Sequence, residues 1–451
     1  MRILKIFRRP SLVVAAATIT YFALKLAMIN VPSPEFPPTD CIDQTANCGF
    51  VFDEAHYIPA IRKMLRGEPA NNEHPPLVKY LIMYSIMLLG DGPVAWRLPS
   101  VLLGSLSLPV LYLLARRLTG DPRLALLAMS LFALDVMSFN ISSIAILDAP
   151  SLFFALLGCY LIVSGRRPLG LLSLAASALS KTSALLTAFG IIFLDALYSS
   201  RGGAGAAERA SRVLNHVVVY GLVLGALFTA GLAVYDYQFG AYPHPFAHLD
   251  FILSYHSSLR FNCGGGISLL SCVHRDQHGE VVVDLPLSWV MPVGGFRPMG
   301  FYVVSVAVDG REHHPVLYYG IQSPLWWLFW ITIIFSLPQG LLQIINYFRA
   351  RSEVPTGGSR AVDTLYMVWL FSNYLAYFPL AYMLNRWVYP FYFYFTVPIL
   401  AIAVSDILLK RGVPSYVAAF TLGAQLIWFI IYYPVRGDAH IALLRLLGLP
   451  A

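Results

Sequence analysis

Charge is what this 451-residue chain has least of: Asp, Glu, Lys and Arg together make up 12% of it, about half the share of a soluble domain. With 57% hydrophobic residues and a mean hydropathy of +0.65, that shortage excludes a water-soluble globule. No internal repeat or low-complexity tract stands out, the nearest being the Gly/Ala-rich turn 201–207. A Gly-x-x-x-x-Gly-Lys-Ser/Thr loop is also missing, because Ser180, Lys181 and Thr182 follow no such glycines. The letters Asp-Glu-Ala-His at 53–56 therefore make no helicase box, since nothing cradles a triphosphate. A net charge of +7 in so apolar a chain is read as membrane topology, not as a nucleic-acid surface.

Apolar windows of roughly 17 to 25 residues, the length that crosses the bilayer core, recur along nearly the whole chain. The pattern predicts an all-α polytopic membrane protein with about eleven spans: 11–29, 98–115, 124–141, 149–164, 169–179, 185–198, 213–234, 325–347, 364–382, 388–407 and 413–433. The 26 Tyr, 28 Phe and 8 Trp suit the two membrane interfaces. With the N-terminus in the cytoplasm, the short inner segments hold 17 of the 31 Lys and Arg but only the acids Asp121, Glu208 and Glu353. That asymmetry is what the positive-inside rule expects. The expected protein is multi-pass in the plasma membrane, with its C-terminus outside.

Two long connections, 30–97 and 235–324, then lie outside and hold most of the acids. Long loops are where function tends to sit. In the first, Ile58, Ile61 and Leu65 repeat at helical spacing until Gly67 and Pro69. Pro75 and Pro76 then precede the apolar run 77–89, about 20 Å as a helix and so a surface element rather than a span. The second loop alternates at Val281, Val283 and Leu285 and at Tyr302, Val304 and Val306, which predicts a few short strands. Cys41 with Cys48, and Cys263 with Cys272, permit two local bridges on the side where disulfides persist. Cys159 sits in a span as a small core residue. Zinc at Cys272, His274 and His278 is the alternative, without a matched fourth ligand.

The candidate chemistry begins at Asp53 and Glu54, two adjacent carboxylates just outside the membrane. Low dielectric raises a carboxyl pKa toward usefulness as a base. Neighbours at i and i+1 do not share a helix face, so the two acids have different roles; the bland alternative is a hydrated helix start. A second feature, Asn72-Glu73-His74-Pro75-Pro76-Leu77-Val78-Lys79, uses two prolines to lift Glu73 and His74 off the following helix, or is merely a turn. A third, Trp96-Arg97-Leu98-Pro99, is an arginine at an outer boundary, an interfacial snorkel or a ligand. Asp148 either caps its helix or works as an intramembrane acid, and Asp135 is expected to bond within the bundle.

Taken in order, Phe52-Asp53-Glu54 with Tyr57, Arg66-Gly67, His74-Pro75-Pro76-Leu77 with Lys79, Trp96-Arg97-Leu98-Pro99-Ser100 and Ile146-Leu147-Asp148-Ala149 resemble the protein O-mannosyltransferase family, glycosyltransferase family 39. The resemblance covers most of 50–181, with further patches at 288–327 and at Asn385-Arg386-Trp387-Val388-Tyr389-Pro390-Phe391-Tyr392. It implies one GT-C domain over 1–451 and transfer of mannose from a polyprenyl (dolichyl) phosphate donor to Ser/Thr of a protein acceptor, with inversion. The loop 235–324 is too short for the MIR module of eukaryotic members, which implies a prokaryotic type. Ser180-Lys181-Thr182 departs from the family's usual Lys followed by an aromatic.

The resemblance makes Asp53, beside Glu54, the candidate base that accepts the hydroxyl proton. Arg97, Arg386 and Lys181 become candidates for the donor phosphate, and His56, Tyr57, Glu73, His74, Lys79, Asp148 and Tyr389 position substrate. A single phosphate leaving group needs no metal cofactor if fixed cations meet it; the alternative is a divalent ion on Asp53, Glu54, Glu73 and His74. Two other readings stay open: transfer of another sugar or to a lipid, as aminoarabinose transferases do, and a membrane transporter, which would favour a pseudo-repeat and mid-bilayer charges.

Overall fold

The computed structural model describes residues 10–35, 48–200, 205–263, 268–276, 279–292, 295–308, 310–449 and 451. It is mostly helical. Among the described residues, four helices are long and apolar enough to cross a membrane: α1 (Pro10–Met28), α4 (Pro93–Thr119), α10 (Ala206–Phe239) and the nearly continuous run α12 to α14 (Pro324–Phe348). The chain is an integral membrane protein. Local signals set these ends. Pro93 opens α4 at its first position, where its missing N–H has no partner to lose, and Gly120, at φ +70°, closes it in the left-handed conformation only glycine adopts freely.

Between them lie α2 (Glu54–Leu65), α3 (Leu77–Leu89), α5 (Pro122–Ala133), α6 (Val136–Ile141), α7 (Asp148–Val163), α8 (Arg167–Ser180), α9 (Ala184–Ser199) and α11 (Pro245–Ser258). After α14 come α15 (Ser359–Leu370), α16 (Val397–Lys410), α17 (Ser415–Ile431) and α18 (Asp438–Leu446). The core of the bundle is α4, which packs against α1, α3, α5 and α7, and α16, which packs against α5 and α15. By contrast α10 is rim, with only 17% of its apolar window buried against 61% for α4. α7 and α8 approach closely: a Cβ at Gly158 would come within 2.7 Å of Leu174, and one at Gly170 within 2.5 Å of Ile162.

Several expected spans are interrupted. The window 124–141 breaks after α5 because Asp135 accepts from the backbone N–H of Ser138 at 2.8 Å and starts α6. The window 364–382 passes from α15 into π-helical turns at Phe371–Leu375 and Pro379–Met383, a geometry often found beside functional sites. The window 388–407 opens as a 3-10 turn, Pro390–Phe395, before α16. Two helices escape hydropathy reading because they are short and mixed in polarity: α11, whose His244 side chain caps Ala247 N–H at 3.1 Å, and α18.

The second long loop holds α11 and two antiparallel hairpins, β1 (Ser271–Asp276) with β2 (Gly279–Asp284) and β3 (Met299–Val308) with β4 (Arg311–Gly320). β4 is tied to the chain after α17 by Leu317 N–H donating to Pro434 O at 2.7 Å. Cys263 and Cys272 form a disulfide, which corrects the zinc alternative: Cys272 has no thiolate to offer, and His278 lies outside the described residues. Cys41 lies outside them too, while Cys48 is buried and disulfide-bonded. Cys159 is a buried free thiol.

Candidate active site

The start of α2 sorts the two acids. Phe52 takes φ +55°, a conformation uncommon for any residue but glycine. It turns the chain so that Asp53 lines a cavity of about 680 Å³ while Glu54 points into the protein. Glu54 is fully buried and accepts from Val51 N–H, Ala145 N–H and two nitrogens of Arg97, every contact at 2.8 Å. Arg97 is equally buried, and it also donates to Ile29 O at 2.8 Å, Pro32 O at 3.1 Å and Gly49 O at 2.9 Å. These contacts use all five guanidinium donors. The expected convergence of Arg97 with Arg386 therefore does not occur: Arg97 holds Glu54 and does not line the cavity.

Asp53 makes no capping hydrogen bond at its helix start, which leaves its carboxylate to the cavity. Burial, helped by the nearby Asp148 carboxylate and opposed by Lys181 and His56, pushes its pKa up to about 6. Lys181, at the entry to α9, donates to Asp148 at 2.6 Å and sits over the rings of Tyr392 at 4.8 Å and Phe391 at 5.3 Å. Asp148 thus pairs with Lys181 and makes no capping bond of its own, contrary to the capping alternative. Asp135 bonds within the bundle, to Ser138 and the Trp326 indole.

The turn before α3 supplies another wall. Lys79, fully buried, donates to the carbonyls of Ala70, Asn71 and His74 at 3.2, 2.6 and 2.9 Å, one acceptor for each ammonium hydrogen. It shapes the turn from beneath and does not line the cavity. Asn71, at φ +52°, helps aim Glu73 and His74 inward. The His74 ring lies 5.7 Å from Tyr57 and 5.4 Å from His256. Burial first, then His256, Lys79, Lys181 and His56, hold its pKa well below the ordinary value, so it is a neutral imidazole.

The wall facing Asp53 comes from the segment before α16. Asn385 takes φ +52°, and Arg386 follows it into the cavity, beside Tyr389. The four non-glycine residues with positive φ among those described are Phe52, Asn71, Asn385 and Ala350; the first three line or adjoin this cavity, where such strain tends to collect. Of the residues singled out from sequence, Asp53, His56, Tyr57, Glu73, His74, Lys181, Arg386 and Tyr389 line it together. Glu54, Lys79, Arg97 and Asp148 support it from behind. Sequence reading missed Tyr255 and His256, because a helix of mixed polarity in a long loop carries no motif that marks them, and Tyr377, hidden inside an apolar window; Tyr392 stood in the 385–392 segment but received no role there.

The four-ligand divalent site does not assemble, because Glu54 is turned away and saturated by Arg97 and two backbone N–H groups. Among the described residues no group of three or more His, Cys, Asp or Glu is placed to hold a metal ion. The arrangement instead brings a carboxyl with a pKa of about 6 together with Lys181, Arg260 and Arg386 in one largely apolar cavity.

Residues 73–229 match the family model described as dolichyl-phosphate-mannose-protein mannosyltransferase. That stretch contains Lys79, Arg97, Asp148 and Lys181 but neither Asp53 nor Arg386. A relative in Corynebacterium glutamicum, the polyprenol-phosphate-mannose–protein mannosyltransferase, is 31% identical over 123 residues, covering 24% of this chain and 24% of that one. The matched part is thus about a quarter of the relative's length. In three dimensions the chain is similar to the S. cerevisiae protein O-mannosyltransferase Pmt1-Pmt2 complex bound to the sugar donor, with a TM-score of 0.56 at 14% identity, covering 95% of this chain and 90% of that chain. It is also similar to ArnT from Cupriavidus metallidurans bound to undecaprenyl phosphate, with a TM-score of 0.52 at 16% identity over 92% of this chain and 62% of that one. These likenesses show the fold.

Proposed function

We propose that this chain, whose residues 73–229 match the family model described as dolichyl-phosphate-mannose-protein mannosyltransferase, moves mannose from a polyprenyl phosphate to Ser/Thr hydroxyls of proteins. The observation that carries this reading is the gathering of Asp53, Lys181 and Arg386 around one cavity. Asp53 accepts the proton of the attacking hydroxyl as its oxygen bonds to C1 of the sugar. The C1–O bond to phosphate breaks, the leaving phosphate keeps the electron pair, and Arg386 and Lys181 meet its growing charge. One displacement inverts the anomeric centre. Fixed cations neutralise a single phosphate, so the step needs no metal. The cavity faces outward from the plasma membrane, with eleven spans, the N-terminus in the cytoplasm and the C-terminus outside.

The test is transfer from labelled polyprenyl-phosphate mannose to a Ser/Thr peptide by purified protein, with and without EDTA. Peptide labelling unaffected by EDTA is expected. Label arriving only on lipid would reassign the acceptor, and loss of labelling in EDTA would restore the metal.

A further inference from the structure

We propose that His256 is a positioning residue: as a neutral imidazole carrying its proton on Nε2, it bridges the carbonyl of Glu73 to the guanidinium of Arg386 and holds that cation ready for the donor phosphate. The proposal rests on the reading above and adds to it a residue of the second loop. Its ground is a pair of hydrogen bonds that only one tautomer satisfies. His256 Nε2 lies 3.1 Å from Glu73 O, and a carbonyl oxygen only accepts, so Nε2 carries hydrogen. Its Nδ1 lies 3.2 Å from an Arg386 terminal nitrogen, and guanidinium only donates, so Nδ1 is bare. An imidazolium would set N–H against N–H.

The backbone makes this meeting obligatory. Where α11 ends, Phe261 N–H donates to Asn385 O at 2.9 Å and Trp387 N–H to Leu259 O at 3.0 Å, an antiparallel bridge centred on Arg260 and Arg386. The other terminal nitrogen of Arg386 donates to Trp387 O at 2.6 Å. Both arms of the fork are thereby fixed, and three of five donors remain for an anion. The charged groups around His256 favour the neutral ring: burial, then Arg386 and more distantly Lys181, outweigh the Glu73 carbonyl and push its pKa down to about 4. The rings of His74 and Tyr255 also lie against it, at 5.4 and 5.5 Å. Eight residues earlier on the same helix, His248 grips Asn72 O at 2.8 Å, but its second partner is the acid Asp236. Of these two histidines, His256 is the one whose second partner is a cation that lines the cavity.

The test compares binding of polyprenyl phosphate and uncharged polyprenol to the full-length protein, wild type against His256→Phe and His256→Asn. His256→Phe is expected to weaken polyprenyl phosphate about tenfold, the worth of one charge-assisted hydrogen bond, and to leave polyprenol unchanged. His256→Asn, which keeps an acceptor near Nδ1, should recover most of the loss, and the donor KM of transfer should follow the same order while the peptide KM stays constant. Unchanged phosphate affinity in His256→Phe overturns the proposal. So does a loss shared equally by polyprenol and not recovered by His256→Asn, the mark of a folding role alone. A wild type that fails to prefer phosphate over polyprenol overturns the donor reading itself, and a phosphate preference without peptide transfer overturns only the acceptor.

Discussion

Two charged clusters begin one residue apart and are built on opposite principles. Around Glu54 and Arg97 every donor has an acceptor and no group reaches the cavity. Around Asp53, Asp148, Lys181 and Arg386, a carboxyl is held near neutrality by burial and a guanidinium keeps three donors unused. A saturated buried ion pair secures a shape. An unsaturated one beside a cavity is set up to act on a ligand.

The largest effect expected from breaking this contrast is at Asp53. Asp53→Asn should lower mannosyl transfer by about 10²–10⁴-fold in a peptide-labelling assay, without loss of thermal stability. The sign follows from its pKa of about 6. The folded protein binds this proton more tightly than the unfolded chain, so the stabilisation is full at low pH and is lost as pH rises from the ordinary carboxylate range through 6. Above that, the amide removes a buried charge, and the variant should melt at the same or a higher temperature. Wild-type activity in Asp53→Asn would remove the base.

Next is the sealed cluster. Arg97→Ala should cost about 3–5 kcal/mol of stability, because it strands the Glu54 carboxylate in the interior; the joint change Glu54→Gln with Arg97→Met should recover much of it. An Arg97→Ala variant with wild-type melting but no affinity for polyprenyl phosphate would merge the two clusters into one. In the open cluster, Arg386→Ala should weaken polyprenyl phosphate binding by about 10–100-fold while melting hardly changes, with Arg386→Lys in between because an ammonium lacks the fork. The smallest effect is on the pH profile. Transfer should rise about tenfold per pH unit up to a midpoint near 6 and then level off, as Asp53 loses its proton. A profile flat between pH 5 and 7 would contradict the role of Asp53.

Much of the helical order was legible because hydropathy and caps are local. Pro93 and Gly120 mark both ends of α4, and the apolar run 77–89 is a helix over Leu77–Leu89. The breaks at Asp135 and at the π-helical turns were not legible, since an apolar window reads the same whether its backbone is continuous or re-bonded. The opposite faces of Asp53 and Glu54 followed from helix geometry, but which one the cavity receives did not. Arg97 read as a snorkel or a ligand because three of its five acceptors are backbone carbonyls, which no motif records, and the other two are oxygens of the distant Glu54.

The chain by itself determined that this is a membrane protein and marked Asp53, His74, Lys181 and Arg386 as candidates for chemistry, because composition and short motifs are properties of neighbouring residues. Only the tertiary structure decided which charges remain available. The partner that saturates Glu54 is 43 residues away, and the one that steadies Arg386 is 130 residues away. A charge is reactive or inert according to what the fold brings within hydrogen-bond reach of it, and in this protein those neighbours come from distant parts of the chain.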